Sequence, residues 1–129
     1  MVVRLLLAVI GAFHLGNGLT MLVAPSSWAA RVVHLNTPDH LHFHFIADIG
    51  MAFLASGAGL LLSVRKGAGA FAIAGAAWPF LHGLIHTREW IMGGPPAATA
   101  DLLSEGIGVI LVGVLGVALA WMRFREGDA

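Results

Sequence analysis

Cysteine does not occur in the 129-residue sequence. Its absence excludes disulfides, thiolate metal sites, iron–sulfur clusters and cysteine nucleophiles, and leaves the redox compartment undetermined. Charge is nearly as scarce: Asp, Glu, Lys and Arg make up 11% of the chain, the formal net charge is zero, and no basic run is longer than Arg65-Lys66. Nothing here forms the cationic footprint of a nucleic-acid binder, so that class is set aside. The diagnostic ligand spacings are missing too, with neither His-Glu-x-x-His nor the Glu-x-x-His of ferritin-like carboxylate bundles.

What remains is apolar. Hydrophobic residues account for 58% of the chain and the mean hydropathy is +0.86, outside the usual range of soluble domains. A hydrocarbon core about 30 Å thick takes roughly 20 apolar residues per helix, so four spans would use some 80 to 95 residues and leave short connections. The expected fold is all-α: one domain over residues 1–129, an integral membrane four-helix bundle with spans at about 2–24, 40–64, 68–92 and 100–122.

The punctuation supports those bounds. Arg4 is placed to snorkel at the start of the first span and Pro25 stops it. A signal peptide is a competing reading of the start, but Gly16-Asn17-Gly18 interrupt the apolar run and Pro25 after Ala24 disfavours cleavage, so the segment is expected to be retained. Between spans 1 and 2, Trp28, Val32, Val33 and Leu35 beside Arg31 predict a short interfacial helix within Ser26 to Thr37, with Trp28 at headgroup level and Pro38 as its end. Asp39 is the expected N-cap of span 2, Arg65-Lys66-Gly67 a polar turn, and Gly93-Gly94-Pro95-Pro96 the break after span 3. A polar tail runs from Arg123 to Ala129.

Small residues recur at four-residue spacing as Ala8, Ala12, Gly16, then Ala55, Gly59, then Ala68, Ala72, Ala76. They are either ridges for close helix contact or a reflection of how common Gly and Ala are in membrane helices. Arg4, Arg65, Lys66, Arg123 and Arg125 fall on one side of the four-span arrangement and Arg31 and Arg88 on the other, which places both termini in the cytoplasm under the positive-inside rule.

Seven histidines are the compositional oddity. Counted inward from the outer ends at about 1.5 Å per residue, His14, Asp48 and His82 lie about nine or ten residues deep, and His44, His86 and Glu105 lie about one turn nearer the surface. His44 with Asp48, and His82 with His86, are i,i+4 pairs, and Glu89 extends the second face outward. Ionisable groups at such depth must be paired, hydrated or metal-bound. Two imidazoles with a carboxylate suit iron, copper or zinc, so the expected site is a pocket for one or two transition-metal ions. Its leading ligands are His44, Asp48, His82 and His86, completed by Glu105 and His14, with Glu89 orienting a ligand or serving as general base. Such a site would suit a membrane oxidoreductase acting on a quinone or another lipophilic small molecule.

Other readings stand beside it. The same histidines could be axial ligands of haem b, as His44 with His86 or His14 with His82, although Asp48 and Glu105 would then lie near an apolar porphyrin. They could form a proton or metal-ion relay, or the polar face of an accessory subunit of a larger membrane complex. His14 alone reads as a helix–helix hydrogen-bonding group, His34, His40 and His42 as solvated surface, and Asp101 as a charge favoured by a helix N-terminus. Trp78 reads as packing and Trp90 as part of the aromatic belt. A homo-oligomer is compatible with the Gly/Ala-rich spans.

The opening Arg4-Leu5-Leu6-Leu7, running through Gly16, Gly18 and Ala24-Pro25 into three further apolar spans, resembles the DoxX-like group of small four-helix bacterial membrane proteins. The likeness covers most of the chain in size and span layout. It implies a multi-pass protein of the bacterial inner membrane, in a group some of whose members are linked to respiratory or redox systems, and it carries no catalytic residues over to this chain.

Overall fold

The computed structural model describes residues 1–32 and 40–126, with side chains from residue 42 onward in the second stretch. All regular structure among them is helical: α1 (Val2–Val23), α2 (Pro25–Val32), α3 (His40–Leu62), α4 (Gly69–Gly93), α5 (Thr99–Leu103), a π-helical segment (Ser104–Leu111) and α6 (Val112–Arg125). The last three run on as one helix. Three helices are long and apolar enough to cross a membrane: Val2–Val23, His42–Leu62 and Thr99–Arg125. α4 is as long, but His82, His86, Arg88 and Glu89 dilute its apolar run. The expectations for Val33, His34, Leu35, Pro38 and Asp39, and for the side chain of His40, lie outside the described residues.

Pro25 divides α1 from α2 as its missing N–H requires. The Ala24 N–H still reaches the Thr20 carbonyl at 2.9 Å, and Pro25 then opens α2, a position where no N–H is needed. The Trp28 indole N–H donates to Asn17 Oδ1 at 3.0 Å and fastens α2 to α1.

α1 packs on α3 along a seam of Leu7, Gly11, His14, Gly18 and Met21 against Ile46, Gly50, Phe53, Gly57 and Leu60. Both sets alternate steps of four and three, the spacing of a coiled-coil face. The glycines bring the backbones together: a Cβ on Gly57 would sit 2.6 Å from the Gly11 carbonyl oxygen, and one on Gly18 the same 2.6 Å from that of Gly50. The expected ridge Ala8-Ala12-Gly16 is not this contact. Ala12 and Gly16 are exposed and a Cβ on Gly16 meets nothing within 4 Å, because each residue along a helix turns the face by about 100° and Gly11 and Gly18 lie on the other side. On α4 the expected Ala72 and Ala76 are buried.

α4 lies between α3 and α6, and α6 returns to α1. Pro79 sits inside α4 and cannot donate to the Gly75 carbonyl one turn back. That carbonyl accepts the Ser56 hydroxyl of α3 at 2.5 Å instead. The break in one helix thus becomes a bond between two.

At the end where α3 turns into α4, Arg123 is fully buried. Its Nε donates to the Ser63 carbonyl at 2.9 Å and its Nη2 to that of Arg65 at 2.7 Å, so a residue read as the start of a polar tail caps the carbonyls at the end of α3. Gly67, at φ 79°, makes the turn. Large side chains such as Leu5, Val9, Phe13, Met51, Leu81 and Ile85 point outward, whereas the contacts between helices mix glycine, alanine and serine with a few large residues such as Leu7, Met21, Phe53 and Leu60. A helical assembly presenting its bulky apolar residues outward suits an apolar surrounding.

Candidate functional site

Trp78, His82, His86 and Trp90 follow one another at four-residue spacing and form a single stripe on α4. Trp78 stacks on His82 with ring centroids 4.9 Å apart and planes 11° from parallel, and His82 meets His86 edge-on at 4.8 Å. His86 Nδ1 lies 3.3 Å from Glu105 Oε2, and Trp90 Nε1 donates to the same oxygen at 2.8 Å. Glu105 comes from the opposite element, the π-helical segment. A π turn admits an extra residue and re-aims the side chains around it, and such turns recur at functional sites. Gly106 lies against the indole: a Cβ there would be 3.0 Å from Trp90 Cη2, a tight contact that the ring would have to shift to relieve.

A carboxylate set against His86 Nδ1 favours the tautomer that carries its proton on Nδ1, in which Nε2 keeps the lone pair. His86 and Glu105 are half-buried, and Glu89 stands at the rim, 60% exposed, with Oε2 3.9 Å from His86 Nδ1. The arrangement can hold an imidazole in one tautomer and one orientation, and can pass a proton between His86 and two carboxylates.

The residues expected to form one pocket divide into three groups. His82, His86 and Glu105 come together, with Glu89 beside them. His44 and Asp48 pair with each other on the exposed face of α3, Nε2 to Oδ2 at 3.5 Å. His14 is buried in the α1–α3 seam, tilted against Phe53 at 5.3 Å, and neither ring nitrogen has a hydrogen-bond partner among the described residues. Phe53 packs against His14 and also meets His82 edge-on, with ring centroids 6.5 Å apart. Among the described residues no three His, Asp or Glu side chains converge closely enough to hold a metal ion by themselves.

Comparison with protein-family models, curated proteins and solved structures finds no match to this chain. Geometry alone therefore carries the assignment. Two parts of the site escaped the sequence reading. Trp90 was placed in an aromatic belt, yet its four-residue step from His86 was visible. The π-helical segment left no signal beyond Gly106 and Gly108 beside Glu105.

Proposed function

We propose that the chain is a four-span protein of the bacterial inner membrane with both termini in the cytoplasm, and that His82 and His86 bind a transition-metal ion in its outer half. α4 is the third span along the chain in this reading and completes the four, with His86 and Trp90 turned toward Glu105 of the π-helical segment. In favour of the orientation, Arg4 approaches Glu126 at 3.7 Å and Arg123 binds the carbonyls after α3, so the basic residues at the start of α1, after α3 and at the end of α6 gather at one end.

The observation that carries the metal reading is Glu105, locked by the Trp90 N–H and set against His86 Nδ1. A carboxylate on the far nitrogen of an imidazole is the usual support of a metal-binding histidine, fixing its tautomer and raising its basicity. His86 Nε2 and His82 are the protein ligands, and the remaining positions are left to water or to a lipophilic substrate such as a quinol. Iron, copper and zinc all accept imidazole. Haem b is less well served, because Phe53 packs against both His14 and His82, and His44 faces away from the packed helices.

One observation favours a second reading. Among the described residues no third ligand converges on the two imidazoles, whereas Glu105 and the rim carboxylate Glu89 both stand near His86 Nδ1, at 3.3 and 3.9 Å, and offer alternative acceptors for one proton, as a proton relay would need at its outer end. Metal analysis and an optical spectrum of the detergent-purified protein separate the two. Stoichiometric iron, copper or zinc that is lost in the His82→Ala, His86→Ala double variant supports the metal site. A Soret band would transfer the histidines to haem. Metal-free protein whose proton flux in vesicles fails with His86→Ala would establish the relay.

A further inference from the structure

α3 carries a polar pair that the His82–His86–Glu105 site does not use. The side chains of His44 and Asp48 pair at 3.5 Å yet remain 79% and 65% exposed. At about 1.5 Å per residue Asp48 lies some 12 Å beyond the start of α3, deeper than a headgroup layer of about 6 Å. Rotated by helical steps of four and three, the same face continues as Ala52, Ala55 and Gly59. These residues line an open groove of about 470 Å³, whose other wall is Phe71, Ala74, Gly75 and Trp78 of α4. The face thus joins an ionisable pair that hydrocarbon does not solvate to small residues that admit another helix at close range.

We propose that this face docks a second copy of the same chain about a two-fold axis along the membrane normal, an inference that rests on α3 spanning the bilayer. The bilayer holds both copies at one depth, so α3 meets α3. The pair is then its own complement: His44 of each copy reaches toward Asp48 of the other, one turn deeper, and both contacts form at once. A lipid tail fills such a groove but offers Asp48 nothing, and a foreign protein would need the inverse pair at the same depth.

The chain's lack of cysteine makes the test direct. In native membranes under oxidising conditions, Ala55→Cys is expected to cross-link to a product of twice the chain mass. Val114→Cys, on the outward face of α6, is expected to stay monomeric. Adding Asp48→Ala to Ala55→Cys should lower the dimer fraction by roughly tenfold, as expected for two symmetry-related polar contacts. The exchange of His44→Asp with Asp48→His should restore it. Cross-linking that is absent at both Ala55→Cys and Ala58→Cys, equal at Val114→Cys, or indifferent to Asp48→Ala overturns the proposal, and so does a product of another mass. An alkaline wash of the same membranes tells the failures apart. Protein retained but monomeric overturns the dimer alone; protein released overturns the membrane reading and the dimer with it.

Discussion

Replacing Gly57 with alanine tests the α1–α3 seam at its tightest point. The new Cβ would stand 2.6 Å from the Gly11 carbonyl oxygen, 2.7 Å from Leu15 Cγ and 2.8 Å from the Leu15 nitrogen. Two of these three atoms are backbone, so no rotamer change relieves the contact. Restoring an ordinary separation of about 3.5 Å means moving the helices apart by about 0.9 Å across the seam. Overpacking of this kind costs about 2 kcal/mol, or roughly a thirtyfold shift in the folding equilibrium. Gly16→Ala is the control, since a Cβ there meets nothing within 4 Å. Both substitutions gain the same helix propensity, up to about 1 kcal/mol, so the difference between them isolates the clash. Unfolding in mixed micelles with rising dodecyl sulfate, followed by tryptophan fluorescence, should place the Gly57→Ala midpoint clearly below that of Gly16→Ala. Coincident midpoints, or a Gly57→Ala variant more stable than the control, would refute the seam as described.

The other predictions concern single polar groups. Ser56→Ala should cost about 1 kcal/mol by leaving the Gly75 carbonyl unbonded, and should cost much less in a Pro79→Ala background that restores the helical donor; additive effects in that double-mutant cycle would sink the link between the two residues. Arg123→Met should lower stability by about 2 kcal/mol, because it strips the buried carbonyl of Ser63 of a charged donor, and an unchanged unfolding midpoint would contradict the cap. Glu105→Gln keeps an acceptor for Trp90 but loses the charge behind His86, so metal affinity measured by chelator competition should fall roughly 10- to 100-fold; full affinity would remove Glu105 from the site. His14→Leu should raise the unfolding midpoint, by about 1 kcal/mol, since it removes a buried imidazole that lacks a partner among the described residues. The same variant should retain its metal, and metal loss would return His14 to the ligand set.

Much of the site was legible because it lies along one helix. The i,i+4 relation of His82 to His86 is a property of any α-helix, and so is the position of Glu89 one turn further out. Reach across helices was not legible. Glu105 was expected near His86 from depth alone, and the structure brings the two to 3.3 Å. Equal depth served less well for Asp48, which shares a level with His82 in the sequence count yet lies exposed beside His44. Depth fixes height along a helix axis and says nothing of rotation about it.

Chain order, apolar run length and the breaks at Pro25, Gly67 and Gly94 determined by themselves where each helix begins and ends. The four long segments expected from the sequence end within three residues of the long helices found, α5, the π-helical segment and α6 being taken as one, because hydrogen bonding and chain stiffness within a helix are local. Which way each helix faces was decided only by tertiary structure. In a soluble protein a polar side marks the outward face, but here both the outward residues and most of the inward ones are apolar, so the usual contrast is missing. The choice of Gly11 and Gly18 over Ala8, Ala12 and Gly16, the turning of His44 and Asp48 away from the packed helices, and the capping of α3 by Arg123 all follow from how backbones fit together. That fit is a property of surfaces meeting in space, and no spacing along one chain segment encodes it.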